Sequence, residues 1–266
     1  MKVCLQGTGG DELFGGYPWR YYRIFDSLSQ QNFFDQYYSF WQRLVPDEQK
    51  ADLFQPAILG QMDLTEPRKV FERVFTFNDA LKYDSPEAHI QNSLYFEAKT
   101  FLPGLFLVGD KLAMASGLEE RFPFMDNDLV DFAQKIPVKD KLGNLSKEIK
   151  RIDENDLMKS KYRSFDDGKK VLREAMKDYI PAKIIERKKQ GFSAPDESWY
   201  RGENASYIRE LLLDKQTISS EFINGDYIRK IVKEHTEQHI NHRLLIWSFM
   251  NFEWWCRIFL DGQTAK

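Results

Sequence analysis

Residues 6–17, QGTGGDELFGGY, constrain this chain more than any other stretch. Their glycines follow the apolar triplet Val3-Cys4-Leu5, which reads as the end of a short buried strand. The glycines then read as a tight turn from that strand toward a helix. Such turns let backbone N–H groups approach a phosphate, most of all at a helix N-terminus. Asp11 and Glu12 sit beside the turn, and carboxylates there suit Mg²⁺. The same residues equally suit a plain turn with two acids facing solvent. A Walker-type loop is excluded, because no Lys-Ser/Thr pair follows the glycines. The strand has no evident partner, and a lone strand is not stable.

Almost everything that follows reads helical. Phe33, Phe34, Tyr37, Tyr38 and Trp41 share one helix face. Ser85-Pro86-Glu87 is a helix start, with a Ser cap and Pro at the first helical position. The stripe Ile90, Leu94, Ala98 and Phe101 continues it, and Pro103 should end it. Asp126 should cap a helix carrying Leu129 to Ile136. Asp166 or Asp167 should cap one running from Val171 to Tyr179. Ile228, Ile231, Val232 and His235 mark another. Asn241 to Leu260 is apolar nearly all round and is expected inside. Residues 139–161 read as a solvated loop or short helix, and residues 183–198 as irregular. No clean two-domain break is visible, so the expectation is one mostly helical body with a strand stub at its start.

Three further segments could carry chemistry. In KTFLPGLFLVGDKLAMASGLEERFPFMD, residues 99–126, Asp110-Lys111 and Glu119-Glu120-Arg121 interrupt an apolar run. Charges there must be paired or serve a site. In KYRSFDDGKKVLREAM, residues 161–176, Lys170 lies opposite the apolar arc, whereas Lys169 lies at its edge in the first helical turn. A cation there opposes the positive end of the helix dipole and is favoured only with an anion nearby. Lys169 is therefore the best single candidate for a phosphate contact, although a first-turn lysine can also simply face water. RKKQGFSAPDESW, residues 187–199, reads as an anchored basic loop or as a surface turn.

Composition narrows the function classes. Lys and Arg total 38 against 41 Asp and Glu, a net charge of −3, so no basic field exists to draw nucleic acid. Aromatic residues are 15% of the chain, which points to a large aromatic core. Cys4 and Cys256 have no metal spacing and cannot build a disulfide framework, so a reducing compartment is the default. Both are expected to be buried. No secretory signal is visible, and Asn251, Glu253 and Arg257 argue against a membrane span in the most apolar run. His235 and His239 have helical spacing, but no Glu-x-x-His pattern accompanies them to make a metal site.

The four segments in this order, above all DELFGGY and the E-x-R-x-P-F-x-D pattern at 119–126, resemble the synthetase domain of glutamine-dependent asparagine synthetases. That family has the α/β, doubly wound, adenine-nucleotide α-hydrolase-like fold of the ATP pyrophosphatases. The closing segment from Leu244 to Trp255 resembles bacterial members. Residues 1–266 would be the C-terminal part of such a domain, predominantly α-helical, without its first S-G-G-x-D-S nucleotide loop and without the upstream glutaminase domain. The resemblance implies ATP and Mg²⁺ as cofactors. Gly7, Thr8, Gly9, Gly10 and Glu12 would border the nucleotide, and Asp11 would bind Mg²⁺. Asp110, Glu119 and Arg121 would line or support the acyl-acceptor side. Lys169 would stabilise charge on the α-phosphate and on departing pyrophosphate. Gln6-Gly7-Thr8 departs from the usual Ser-Gly-Glu, Lys111 replaces Arg, and Ala113 replaces Ser.

The implied chemistry converts aspartate, ATP and glutamine-derived ammonia to asparagine, AMP and pyrophosphate through β-aspartyl-AMP. With half the nucleotide loop missing, the chain alone is expected to be inactive. The alternatives are an amidoligase acting on another carboxylate and a noncatalytic helical module that binds a partner. A cytoplasmic location follows from the resemblance and the thiols. Self-association through an open sheet edge is also expected.

Overall fold

The computed structural model describes residues 2–22, 24, 27, 29–143, 167–187, 196–202, 204–214, 217–238 and 240–262. It is mostly helical, with one two-stranded parallel sheet among the described residues. In chain order come β1 (Lys2–Leu5), α1 (Gly10–Phe14), α2 (Pro18–Tyr22), α3 (Gln30–Trp41), α4 (Lys50–Leu53), α5 (Pro56–Leu59) and α6 (Glu66–Phe75). There follow α7 (Pro86–Lys99), α8 (Phe101–Ala115), β2 (Leu118–Arg121), α9 (Asn127–Lys135), α10 (Val138–Lys141), α11 (Lys170–Ala175) and α12 (Ala182–Ile185). The chain closes with α13 (Asp196–Trp199), α14 (Ala205–Leu213), α15 (Gly225–Glu237) and α16 (Arg243–Phe259).

The chain divides into two compact units, Met1–Tyr38 with Lys69–Gln190, and Ser39–Arg68 with Gly191–Lys266. Each is discontinuous, with two boundaries inside α3 and α6 and a third at Gln190/Gly191. The first two carry no linker in the sequence, which explains why it shows no clean break there.

In the first unit β1 pairs in parallel with β2, Val3 opposite Glu119 and Leu5 opposite Arg121. The partner strand is thus the charged run 118–121, which carries no strand-like alternation. Val3 and Leu5 are 57% and 71% exposed, so the expectation of a buried strand fails. One parallel pair offers too little cover to bury them.

Several helix ends follow local chemistry. The Ser85 hydroxyl accepts from Ala88 N at 3.2 Å, and Asp126 Oδ1 accepts from Leu129 N at 3.1 Å. Pro103 does not end α7. The break falls at Thr100, and Pro103 lies in the first turn of α8, where its missing N–H costs nothing. The helix expected over 171–179 is short, and Asp167 does not cap it. Lys169 is the capping residue and Asp166 lies outside the described residues.

The expected aromatic core lies in this unit. Phe33, Phe34 and Tyr37 pack with Phe71, Phe75, Tyr83, His89 and Phe96 at centroid separations of 5.0–6.1 Å. A second cluster joins Tyr21, Tyr22, Ile90, Leu94, Val138 and Leu142. A third surrounds Leu13 and Phe14 with Ala133 and Ile136.

In the second unit α14, α15 and α16 share a core of Ile208, Leu211, Ile231, Val232, Leu245, Ile246 and Phe249. α16 is not internal all round. It buries Leu245, Ile246, Phe249, Glu253 and Cys256 but exposes Trp247, Trp255 and Phe259. Buried Glu253 accepts from Ile218 N, Ser219 N and Arg257 Nε at 3.2, 2.8 and 2.7 Å. Cys256 is buried as expected, whereas Cys4 is only partly covered.

Candidate functional site

β1 ends at Leu5, and Gln6 N donates to Arg121 O at 2.8 Å, so the glycine-rich turn leaves the sheet beside the end of β2. These are the carboxyl ends of two parallel strands, where such sheets place their ligand sites. The turn leads into α1, bracketed by left-handed Gly9 and Gly15. Asp11 lies in its first turn.

The segment 167–169 comes from far along the chain and packs against the end of α1. Lys169 N donates to Phe14 O at 3.0 Å, and Gly143 N donates to Asp167 O at 2.9 Å. The Tyr22 hydroxyl donates to Asp167 Oδ2. The approach is so close that a Cβ on Gly168 would collide with the Gly15 carbonyl. Lys169 consequently has φ 58°, the one non-glycine residue with positive φ among the described residues. It is not in the first helical turn, as periodicity suggests, but caps α11 from outside. There its ammonium lies 3.0 Å from Asp11 Oδ1. A Cβ on Gly16 would meet that same Asp11 carboxylate, so Gly16 supplies the space in which Asp11 sits.

The other expected residues fall in different surroundings. Gly7 is exposed, and Gly9 and Gly10 are buried under Met125 and Phe124. Thr8 is half-buried. Glu12 is 2% exposed and points into the interior, where the Tyr17 hydroxyl donates to its Oε1 at 3.1 Å. Burial, with some help from neighbouring Asp11, raises its carboxyl above the ordinary value. Glu119 and Arg121 pair with each other on β2. Asp110 and Lys111 are exposed on α8, so water solvates them and the apolar run around them is itself largely exposed. Lys170 is exposed as expected. Most of the basic segment 187–199 lies outside the described residues, as does His239. His235 is buried, its Nδ1 accepting from His242 N at 3.0 Å.

Sequence reasoning missed a polar chain beneath α1. The Arg20 guanidinium lies over the Tyr17 ring, 3.9 Å from its centroid, and Arg20 Nη1 is 3.5 Å from Glu97 Oε2. Tyr21 and Tyr37 hydroxyls donate to the Glu97 carboxylate at 3.0 and 3.1 Å. Burial raises the Glu97 carboxyl, against the pull of Arg20 and both tyrosines. The signal was present: Glu97 follows Ile90 and Leu94 at i+7 and i+3, on the buried face of α7.

No group of three His, Cys, Asp or Glu side chains capable of holding a metal occurs among the described residues. Asp11 is a single half-buried carboxylate next to a lysine and a glycine-lined turn. That donor set fits Mg²⁺ carried in on phosphate oxygens, with Asp11 contributing one ligand, better than a caged ion. No described helix is long and apolar enough to cross a membrane.

Residues 1–257 match the asparagine synthase family. The chain is similar to asparagine synthetase [glutamine-hydrolyzing] 1 of Bacillus subtilis, at 26% identity over 99% of this chain and 41% of the relative. It is similar to a putative asparagine synthetase [glutamine-hydrolyzing] of Mycobacterium tuberculosis, at 24% identity over 100% of this chain and 40% of the relative. It is also similar to amidase chyE of Penicillium rubens, at 25% identity over 54% of this chain and 20% of that protein. The chain thus spans about 40% of the length of these two synthetases.

Proposed function

The chain belongs to the asparagine synthase family, and from that membership we propose that it carries part of the site for ATP-dependent amide formation on a carboxylate. In this reading the side-chain carboxylate of aspartate attacks the α-phosphorus of ATP, giving β-aspartyl-AMP and pyrophosphate. Ammonia then attacks the activated acyl carbon and AMP leaves. The ammonia would come from glutamine in a glutaminase domain elsewhere in the protein. A carboxylate is a poor electrophile, and adenylation supplies its leaving group.

One observation supports the reading most: Asp11 and Lys169, remote in sequence, meet at 3.0 Å beside a glycine-rich turn at the ends of two parallel strands. Phosphoryl chemistry asks the protein chiefly for position and charge neutralisation. Lys169 would face the α-phosphate and the departing pyrophosphate. Asp11 would hold Mg²⁺, which screens phosphate charge when bound. Gly7, exposed at the turn, would present its backbone N–H group. Glu119 and Arg121, on the strand beside that turn, would support the acyl acceptor, with Asp110 further along α8.

The remaining sheet and the first nucleotide loop would pack where β1 and α8 expose Val3, Leu5, Leu107, Val108 and Leu112. On this view the chain alone is inactive, self-associates through that face, and works in the cytoplasm. A single monodisperse monomer in light scattering at micromolar concentration would remove the self-association.

An amidoligase for another carboxylate is the second reading. Thr8 favours it, since the family often has an acid there beside the Asp11 turn.

The test is aspartate-dependent exchange of labelled pyrophosphate into ATP, with the complete gene product and with this chain alone. The complete protein should exchange, and Lys169→Met should lower its rate about 10²–10³-fold. Wild-type exchange that persists in Lys169→Met would overturn the assignment. Exchange supported by a different carboxylate would select the second reading.

A further inference from the structure

The short helix that carries Asp11 cannot hold itself in place. α1 has five residues, too few for an isolated helix in water. Its apolar side, Leu13 and Phe14, rests on α9. Such contacts fix the depth of a helix better than its rotation, because apolar packing is weakly directional. Rotation decides where Asp11 points, since it precedes Glu12 by one residue and the two side chains diverge.

Segment 167–169 pins the C-terminal end of α1, where Lys169 N donates to Phe14 O, and on the inner side of the helix the directed contacts are polar and buried. Glu12 Oε1 accepts from the Tyr17 hydroxyl at 3.1 Å. The Tyr17 ring is held under the Arg20 guanidinium and edge-on against Phe101 and Trp19, at 6.2 and 5.6 Å between centroids. Arg20 is 4% exposed and is anchored by Glu97, which is 0% exposed. Glu97 belongs to α7, a 14-residue helix with its own Ser85 cap. Its carboxylate is fixed by two further donors, Tyr21 and Tyr37. A rigid helix therefore reaches α1 through a chain of directed contacts.

We propose that Glu97 is a positioning residue for the Asp11–Lys169 site, acting through Arg20, Tyr17 and Glu12 to set the orientation of α1. The proposal rests on the reading of that site as one for Mg²⁺ and nucleotide phosphates. A buried acid and arginine could instead serve only to hold α2 against α7. The two roles separate when both charges are removed together. Neutralising one partner takes the nearest opposite charge from the other, which stays buried, and this lowers stability in either case. Neutralising both removes the unbalanced buried charge and returns part of the lost stability, but leaves no planar cation over Tyr17.

The experiment compares Glu97→Gln, Arg20→Met and the double variant in the complete gene product. Urea midpoints report stability, calorimetry reports Mg-ATP binding, and amide hydrogen exchange reports α1. Both single variants should be less stable, and the double variant should return toward wild type. In that double variant, Mg-ATP affinity should still be about 10–100-fold weaker, as for other groups that orient a ligating carboxylate. Amides of Leu13 and Gly16, which donate to Gly9 O and Asp11 O, should exchange faster, while α15 and α16 stay as in wild type. Wild-type exchange at Leu13 and Gly16 in a stable double variant would overturn the positioning role. Absence of Mg-ATP binding by the wild-type protein would instead overturn the functional reading, with the exchange result still deciding the role of Glu97.

Discussion

Replacing Lys169 by glycine or by alanine should separate its backbone from its charge. The residue has φ 58° because segment 167–169 lies directly on the end of α1. A left-handed conformation costs a side-chain-bearing residue about 1–2 kcal/mol, and glycine nothing. Glycine in turn loses about 0.4–1 kcal/mol through the greater freedom of its unfolded chain. Both variants lose the same largely buried ion pair with Asp11, so that contribution cancels. The difference leaves Lys169→Gly more stable than Lys169→Ala by about 0.5–1 kcal/mol. At Lys170, the first residue of α11, the backbone is helical and the order should invert by a similar amount. Urea unfolding followed by circular dichroism reads this as a shift of about 0.2–0.5 M in midpoint. Pyrophosphate exchange should fall equally in both Lys169 variants, since both lack the ammonium. If Lys169→Ala proves the more stable, the left-handed geometry is wrong and Lys169 is an ordinary helical residue. Its meeting with Asp11 then loses its structural basis.

Four other substitutions test the surroundings of Asp11 and, in the second unit, those of Glu253. Gly16→Ala should displace the Asp11 carboxylate and destabilise the protein by about 1–3 kcal/mol, whereas Gly104→Ala, in open space within α8, should be neutral or stabilising; equal effects in thermal melts would contradict the close approach at Gly16. Glu12 has a raised carboxyl, so the folded state takes up its proton first and wild-type stability falls as pH rises from the unfolded value through the folded one. Glu12→Gln lacks that loss, and its urea midpoint should gain on wild type as pH rises from the ordinary carboxylate value toward neutrality. Glu253 has the opposite sign. Burial opposes its charge, but bonds from Arg257, Ser219 and Ile218 hold its carboxyl below the ordinary value, so its stabilisation is present above that value and lost as pH falls through the folded one. Glu253→Gln should cost about 1.5–3 kcal/mol at pH 7 and lose that deficit in acid; a deficit independent of pH would refute the charge assignment.

How much was legible depended on range in the sequence. Helix starts at Ser85 and Asp126 were readable because a cap is a contact between residues three apart. The aromatic face of α3 was readable because helical spacing puts Phe33 and Tyr37 together whatever lies opposite. The Thr100 break was not, since proline suits both the end of one helix and the first turn of the next. The strand 118–121 was hidden by its charges. Its pairing with β1 satisfies backbone groups and leaves Glu119 and Arg121 free to pair with each other.

By itself the sequence determined a helical chain with an aromatic core, a glycine-rich turn beside Asp11, and a candidate cation at Lys169. These depend on residue chemistry and on spacings of a few residues. Only the tertiary structure decided that Lys169 reaches Asp11, that Glu12 turns inward, and that Glu97 is a buried anchor rather than one more surface acid. Each of those outcomes depends on which distant segment excludes water from a side chain, and burial is a property of the packed chain.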